Sequence, residues 1–311
     1  LCGLSQKGNT MPGKILVPLD GSETAEKVLP CARYLASRLK LQLELLMAVD
    51  TSEFAANISP EKAQLLDKLT AEGLRHGEDY LQTVAATIDD VEVGREIQQG
   101  RAENVIIDRG ELDKSALVAM ATHGRSGLNR FLLGSVAEKV LRGAANPLLL
   151  VRAGTQTAKG APVRFSTIIV ALDGSELAER ILPLVADLAK KLAAEILLFR
   201  AYHVPYSAYT GEETFYAVNY DEMTASVRAE AGEYVEKKAG ELRSLGVEKV
   251  TCLTKEGLAG DEIIALASQS PDSLIAMCSH GRSGVKRWVL GSVTETVVRH
   301  ADDPVLVVRA A

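Results

Sequence analysis

The chain has no long apolar segment and few cysteines. Its apolar runs, such as those at 147–151 and 273–278, are far shorter than the roughly 20 residues of a membrane-spanning helix. The four cysteines, at positions 2, 31, 252 and 278, show neither close pairing nor the spacing of a zinc site. We therefore expect no membrane partner, no disulfide framework, no metal site and a reducing, cytoplasmic location.

Positive charge is also in short supply. The formal net charge is −6 at pH 7, whereas proteins that bind nucleic acid in general carry a basic surface. We therefore expect no nucleic-acid partner.

What the chain does have is enough length and apolar content for two packed domains. It has 311 residues, of which 47% are hydrophobic and 24% charged, as in ordinary folded proteins. Residues 1–10 lack the charged start and apolar core of a signal peptide, and Met11 looks like an initiator. We leave these ten residues out of the fold prediction.

Two segments of the sequence occur twice in the same order. The stretch ILVPLDGSETAEKVLP at 15–30 recurs as IIVALDGSELAERILP at 168–183. Later, HGRSGLNRFLLGSV at 123–136 recurs as HGRSGVKRWVLGSV at 280–293. The period is far longer than the 20 to 50 residues of solenoid repeats, so a whole domain is duplicated. We expect domains at 12–153 and 165–311, joined by a linker at 154–164.

Short apolar runs alternate with helical patterns through each copy. In the first copy we predict strands at 14–19, 41–49, 91–98, 115–121 and 147–152. After strand one we predict a helix whose apolar residues lie at helical spacing, namely Val28, Leu29, Ala32, Leu35, Ala36 and Leu39. A long helix at 61–88 should place Leu65, Leu66, Leu69, Leu74 and Leu81 on its inner side. This alternation predicts an α/β fold with two tandem doubly wound, Rossmann-like domains, each a five-stranded parallel sheet covered by helices on both faces.

In such domains ligands bind beyond the carboxyl ends of the strands, where the loop after strand four lies. That loop contains Gly124, Gly127 and Gly134 in the first copy, and Gly281, Gly284 and Gly291 in the second. The segments 135–138 and 292–295 each fit a capping box, with serine as the cap and glutamate three residues later. The glycines and serines either form only turns and caps, or surround a ligand.

Basic residues are concentrated in the same loops although the chain is acidic. They are Arg125 and Arg130 in the first copy, and Arg282, Lys286 and Arg287 in the second. Cations beside a helix start favour a phosphate site, with a solvated loop as the alternative. His123 and His280 have no recognisable catalytic or metal-binding neighbours in the sequence, so we interpret them as structural hydrogen-bonding residues.

The turn after strand one reads Asp20-Gly21-Ser22, and in the second copy Asp173-Gly174-Ser175. The aspartate can accept hydrogen bonds from a ribose or adenine, or it can cap the following helix. Both roles stay open from the residues alone. No dinucleotide-binding glycine fingerprint follows strand one, which disfavours a nicotinamide-dependent enzyme.

These motifs, in this order and twice over, resemble the universal stress protein family. The resemblance implies a domain like that of the adenine nucleotide alpha hydrolases and, in the nucleotide-binding branch, an ATP site of the form G-x-x-G-x9-G-S/T. The second glycine and the Gly-Ser pair match in both copies, whereas Ala121 and Cys278 replace the first glycine. Alanine adds one methyl group, so binding is expected in the first copy, and the larger Cys278 weakens the expectation for the second.

The resemblance also implies roles for individual residues. Asp20 and Asp173 would contact the adenosine, and the backbone at Ala48 and Ala201 the adenine edge. The turns at Gly134, Ser135 and Val136 and at Gly291, Ser292 and Val293 would contact the phosphates.

The implied ligand is ATP or another adenine nucleotide, with Mg²⁺ left open. The sequence shows neither a general base nor a magnesium-binding carboxylate pair, both usual in fast phosphoryl transfer. We therefore expect a stress-response regulator or sensor without fast turnover, with a non-binding interaction scaffold or a slow ATPase as alternatives. The family pairs domains through their fifth strands, which implies antiparallel pairing of 147–152 with 304–309 and leaves a homodimer open.

Overall fold

A computed structural model describes residues 11–57, 63–122, 133–152, 162–203, 220–280 and 290–309. Within these ranges no helix is both long enough and apolar enough to cross a membrane.

Each half of the chain forms five strands and a set of intervening helices. The strands of the first half are β1 (Lys14–Leu19), β2 (Gln42–Val49), β3 (Val93–Gln99), β4 (Leu117–Ala121) and β5 (Leu148–Val151). Its helices are α1 (Glu23–Glu26), α2 (Leu29–Leu39), α3 (Ser52–Asn57), α4 (Ala63–Ala85), α5 (Ala102–Leu112) and α6 (Ser135–Gly143).

The second half repeats this series. Its strands are β6 (Thr167–Ala171), β7 (Glu195–Tyr202), β8 (Val250–Glu256), β9 (Ser273–Cys278) and β10 (Val305–Val308). Its helices are α7 (Glu176–Glu179), α8 (Leu182–Leu192), α9 (Tyr220–Ser244), α10 (Ala259–Ser268) and α11 (Ser292–His300).

The ten strands form one sheet in the order β3-β2-β1-β4-β5-β10-β9-β6-β7-β8. All pairings within each half are parallel, which confirms the predicted doubly wound α/β fold. The central strands are buried almost without interruption, as expected when helices cover both faces of a parallel sheet.

The two halves meet at β5 and β10, which lie antiparallel with Leu149 opposite Leu306. Apolar side chains of α2 and α8 join those of both fifth strands in one continuous buried cluster. Phe165, two residues before β6, packs its ring edge-to-face against Tyr34 of the first half, with 5.5 Å between the ring centres. Because β5 and β10 are antiparallel, the strands of the two halves run in opposite directions. The carboxyl ends of the strands in one half therefore lie on the same side of the sheet as the amino ends of the strands in the other half.

The helix predicted after β1 is confirmed as α2, with Pro30 in its first turn, where the missing N–H of proline is tolerated. The short helix α1 before it was not predicted. The prediction for the inner side of the long helix that follows β2 was wrong in part. The long helix α4 buries Gly77, Leu81 and Val84 near its end, whereas Leu65 and Leu69 in its first turns are exposed. The helical periodicity continues through those first turns, although only the later ones cover the sheet.

Candidate functional site

A cavity lies at the carboxyl ends of the parallel strands in each half. The first, of about 280 Å³, lies between β1, β2, β4 and the starts of α5 and α6. The second, of about 300 Å³, occupies the equivalent place in the other half. Of the predicted site residues, Asp20, Ala48, Ala121, Gly134, Ser135 and Val136 line the first cavity. Their counterparts Asp173, Ala201, Cys278, Gly291, Ser292 and Val293 line the second.

The turn after β1 holds the aspartate at one side of the cavity. Asp20 Oδ1 accepts hydrogen bonds from Ser22 N at 2.9 Å and Ser22 Oγ at 2.6 Å. Ser22 Oγ in turn accepts from Ala25 N, so the cap of α1 is Ser22 and not Asp20. Gly21 has a φ of +81°, a conformation that a side chain would strain.

The second half repeats this arrangement. Asp173 Oδ1 accepts from Ser175 N and Oγ at 2.9 and 2.6 Å, and Ser175 caps α7 through Ala178 N. In both halves the serine carries the capping role, and the aspartate fixes the serine while its carboxylate lines the cavity.

The predicted capping boxes at the other side of each cavity are wrong. The cap residues of α6 and α11 are Gly134 and Gly291, and neither helix start has a side-chain cap hydrogen bond. Ser135 and Ser292 are the first helical residues instead, because the preceding glycine is extended and its N–H donates to the strand-four exit, at Thr122 O or Ser279 O. Glu138 and Glu295 accept from arginines one turn later, Arg142 and Arg299.

These helix starts therefore present backbone N–H groups along the cavity wall. The first turn of an α-helix has N–H groups without intrahelical acceptors and carries a partial positive charge. A Cβ on Gly291 would lie 3.2 Å from Ser279 O, so a larger residue here would have to push this turn away from the strand end by a few tenths of an ångström. The arrangement suits an anionic group such as a phosphate.

Sequence reasoning missed the apolar walls. Leu46, Ile106 and Met120 line the first cavity, and Phe199, Ile263 and Met277 line the second. The spacing of these residues was a signal in the sequence. Leu46 and Ala48 are two residues apart on β2 and so lie on the same face of the sheet, and Ala102 and Ile106 lie one turn apart on α5. Together with the helix start they make a cavity that is apolar in the middle and polar at both sides.

The two cavities differ at a few positions. Leu46, Ala121 and Ala137 of the first correspond to Phe199, Cys278 and Thr294 of the second. The Cys278 thiol donates to Ala178 O at 3.5 Å, and burial raises its pKa to about 12. The hydroxyl of Thr294 donates to Cys278 O at 3.0 Å.

His280 also lines the second cavity. Its Nδ1 lies 2.9 Å from Ser279 Oγ, which agrees with a structural hydrogen bond. Among the described residues no hydrogen-bond partner reaches its Nε2, which is buried. Burial and the nearby positive charge of Arg309 lower the pKa of His280, so the ring is neutral near pH 7.

Other predicted residues lie outside the described ranges. They are His123, Gly124, Arg125, Gly127 and Arg130 in the first half, and Gly281, Arg282, Gly284, Lys286 and Arg287 in the second. Their proposed contacts with phosphate stay predictions. Within the described part of the chain no cluster of three or more His, Cys, Asp or Glu side chains could hold a metal ion.

Comparison with known proteins identifies the family. The model of the universal stress protein family matches residues 11–152 and again residues 164–309. The chain belongs to the universal stress protein family. The family resemblance inferred from the sequence is thereby confirmed, with two family units in tandem.

Among curated relatives, a universal stress protein of Mycolicibacterium smegmatis is 26% identical over 297 residues, covering 95% of this chain and 96% of that protein. The universal stress protein MJ0531 of Methanocaldococcus jannaschii is 30% identical over 154 residues, 49% of this chain and 89% of its own length. The crystal structure of a universal stress protein from Archaeoglobus fulgidus DSM 4304 covers 97% of this chain and all of its own, with a TM-score of 0.70 and 22% identity. This likeness shows the fold.

Proposed function

We propose that each half of this universal stress protein binds an adenine nucleotide in its cavity, and that the protein acts as a stress-response regulator or sensor without fast turnover. One observation carries the proposal. Two cavities at equivalent places combine a carboxylate held by a tight turn, an apolar middle and a glycine-preceded helix start.

The middle of each cavity suits a flat aromatic base. In the first half Leu46, Ile106 and Met120 provide apolar surface, and the small Ala48 leaves room beside them. Volumes of about 280 and 300 Å³ are at the small end of the range for ligand pockets. We place the adenine and ribose inside and the phosphates over the helix start.

Charge complementarity sets the orientation of the nucleotide. The Asp20 carboxylate can accept hydrogen bonds from ribose hydroxyls but would repel phosphates. The first turn of α6, at Ser135 and Val136, favours an anion. The second half repeats both features with Asp173 and Ser292. Phosphates are therefore expected over the helix start and the ribose beside the aspartate.

The lining of the first cavity also supports binding without fast turnover. Among its described lining residues, Asp20 is the only titratable side chain, and its Oδ1 already accepts two hydrogen bonds. Fast phosphoryl transfer usually employs a positioned base and carboxylates that hold magnesium. The described lining supplies neither, so we expect ATP to stay intact over many minutes.

The first test is to denature freshly purified protein, separate the released small molecules by chromatography and count adenine nucleotides per chain. Two per chain would support both cavities, and one would support a single working half, expected to be the first. If none is released and calorimetry detects no binding of added ATP, the proposal is wrong. Asp20→Asn and Asp173→Asn, tested separately, should each lower ATP binding, and ADP release by the wild type measures turnover.

A further inference from the structure

An arginine at the end of each half's last strand contacts the other half. Arg152, directly after β5, donates through Nη1 to His300 O at 3.0 Å and to Asp302 Oδ1 at 3.1 Å. Arg309, directly after β10, donates through Nη1 to Gly143 O at 3.1 Å and to Ala144 O at 2.9 Å. The two contacts are reciprocal, so each half holds part of the other.

The pairing of the fifth strands explains this reciprocity. Because β5 and β10 are antiparallel, the end of one lies beside the start of the other. The helix that precedes each of these strands ends just before the strand begins, α6 at Gly143 and α11 at His300. An arginine that continues β10 therefore reaches the end of α6, and one that continues β5 reaches the end of α11.

The helices held in this way are the two whose first turns form the cavity walls. Helix α6 begins at Ser135 and helix α11 at Ser292, and each has nine residues. Nine residues make a helix about 13 Å long, which is marginal without support from its surroundings. A cation on the last carbonyls of a helix stabilises that helix, and an anion at its start does the same.

Most of the Arg152 side chain is covered by the protein. Its side chain is 11% exposed although Asp302, its ionic partner, is 75% exposed. A guanidinium keeps its charge and donates in a fixed planar geometry, and the carbonyl of His300 is one of its acceptors. The end of α11 is thereby fixed to the other half of the molecule, and not only to its own sheet.

We infer that Arg152 and Arg309 are positioning residues for nucleotide binding in the opposite half: Arg152 sets the helix start of the second cavity, and Arg309 that of the first. This inference rests on the proposed function. It requires that the two halves cooperate in building each site, so a change in one half alters the affinity of the other.

The test first restricts ATP binding to one cavity at a time and then changes the arginine. Ala48→Trp fills the first cavity and Ala201→Trp fills the second, since both alanines line them. In the Ala48→Trp protein, which retains only the second cavity, Arg152→Met should weaken ATP binding about fivefold. In the Ala201→Trp protein, which retains only the first cavity, Arg152→Met should leave ATP affinity within about twofold of its starting value, whereas Arg309→Met should weaken it about fivefold. Isothermal calorimetry at fixed salt measures both.

Two further variants separate positioning from general damage. Arg152→Lys retains the cation and should restore most of the affinity of the second cavity. Asp302→Asn removes the exposed ion pair but leaves the bond to His300 O, and should have little effect. Hydrogen exchange of the last turn of α11 should become faster in Arg152→Met and not in Asp302→Asn.

The outcomes distinguish the two proposals. If ATP binds but Arg152→Met weakens both single-cavity proteins equally, or neither, this inference is wrong and the proposed function stands. If ATP binds to none of the proteins, wild type included, the proposed function fails and the inference falls with it.

Discussion

Equivalent positions of the two halves are occupied by charged residues in the first half and by uncharged residues in the second. Under β1 and β2 of the first half, Glu44 contacts Lys14 and Arg109, and Arg109 Nε donates to Glu96 at 2.6 Å. The corresponding residues of the second half are Thr167, Leu197, Leu266 and Leu253. Leu197 and Leu253 occupy the strand positions that Glu44 and Glu96 occupy in the first half, and Leu253 is 37% exposed.

This difference teaches which parts of the domain are interchangeable. Ion pairs and apolar side chains can replace one another at little net cost, provided that every charge is paired. The Asp-Gly-Ser turns and the Gly-Ser-Val helix starts, by contrast, are the same in both halves. The aspartates of the turns and all three residues of the helix starts line the cavities. The comparison therefore separates the ion-pair network, which one half lacks, from the turn and helix-start motifs of the cavities, which both halves keep.

The largest expected effect comes from breaking the network at its centre. Glu44→Leu alone leaves two cations without their shared partner. Because Lys14 and Arg109 keep Asp113 and Glu96 as partners, we expect a loss of about 2 kcal/mol, less than for a fully unpaired buried charge. Urea unfolding followed by hydrogen exchange of β1 and β2 measures the first half separately, since two domains need not unfold together.

The control for this variant replaces the whole network by its counterpart in the second half. A protein carrying K14T, E44L, E96L and R109L should recover to within about 1 kcal/mol of the wild type. A quadruple variant as unstable as Glu44→Leu alone would show that the two packings are not interchangeable.

The next largest effect should be a difference between the two halves in their loss of stability at low pH. Burial alone would raise the pKa of Glu96, but hydrogen bonds from Gln98 and Arg109, together with the positive charge of Arg109, bring it down to about 2. A hydrogen bond from Ser115 likewise lowers the pKa of Asp113, whereas burial raises that of Asp303 in the second half.

The sign of the pH effect follows from these directions. A carboxyl with a lowered pKa stabilises the fold above its unfolded value, and that contribution is lost as the pH falls toward its folded value. A carboxyl with a raised pKa acts in the opposite direction. Between about pH 5 and pH 2 the first half should lose stability faster than the second, as measured by hydrogen exchange. Equal losses in both halves would contradict the comparison.

A smaller effect should follow from exchanging the residue that ends strand four. Ala121→Cys should lower ATP affinity in the first cavity, and Cys278→Ala should raise it in the second, each about tenfold. Calorimetry on the proteins with one filled cavity measures each site, and Cys252→Ala is the control because Cys252 lines neither described cavity. Unchanged affinities would mean that the thiol, which donates to Ala178 O, does not reach the ligand.

The smallest effect concerns Thr294, whose counterpart is Ala137. Thr294→Ala removes the hydrogen bond to Cys278 O and should destabilise the second half by about 1 kcal/mol. Thr294→Ser retains the donor and should lose less than half as much in the same urea experiment. If both variants lose equally, the methyl group rather than the hydrogen bond accounts for the stability.

Much of the fold was readable from the sequence because it depends on local patterns. Apolar runs gave the strands, and the repeated motifs gave the duplication and the two sides of each cavity. The break between α1 and α2 also had a signal in Pro30. The sequence contained no signal for the cap at Gly134. The same residues fit a helix capped by Ser135 and a helix that begins at Ser135.

The apolar walls and the arginine contacts were harder to predict for a different reason. Leu46, Ile106 and Met120 come together only once the order of the strands is known. Arg152 reaches His300 O across 148 positions of sequence through a pairing of strands from different halves. Local patterns carry no information about such contacts.

The most direct test of the central claim is amide hydrogen exchange with and without saturating ATP. We expect slower exchange at the first turns of α6 and α11, at Ser135–Ala137 and Ser292–Thr294, and at the carboxyl ends of β2 and β7. The amino ends of the outer strands β3 and β8 should change little. Protection confined to other parts of the chain, or none at all, would contradict the assignment of both cavities as nucleotide sites.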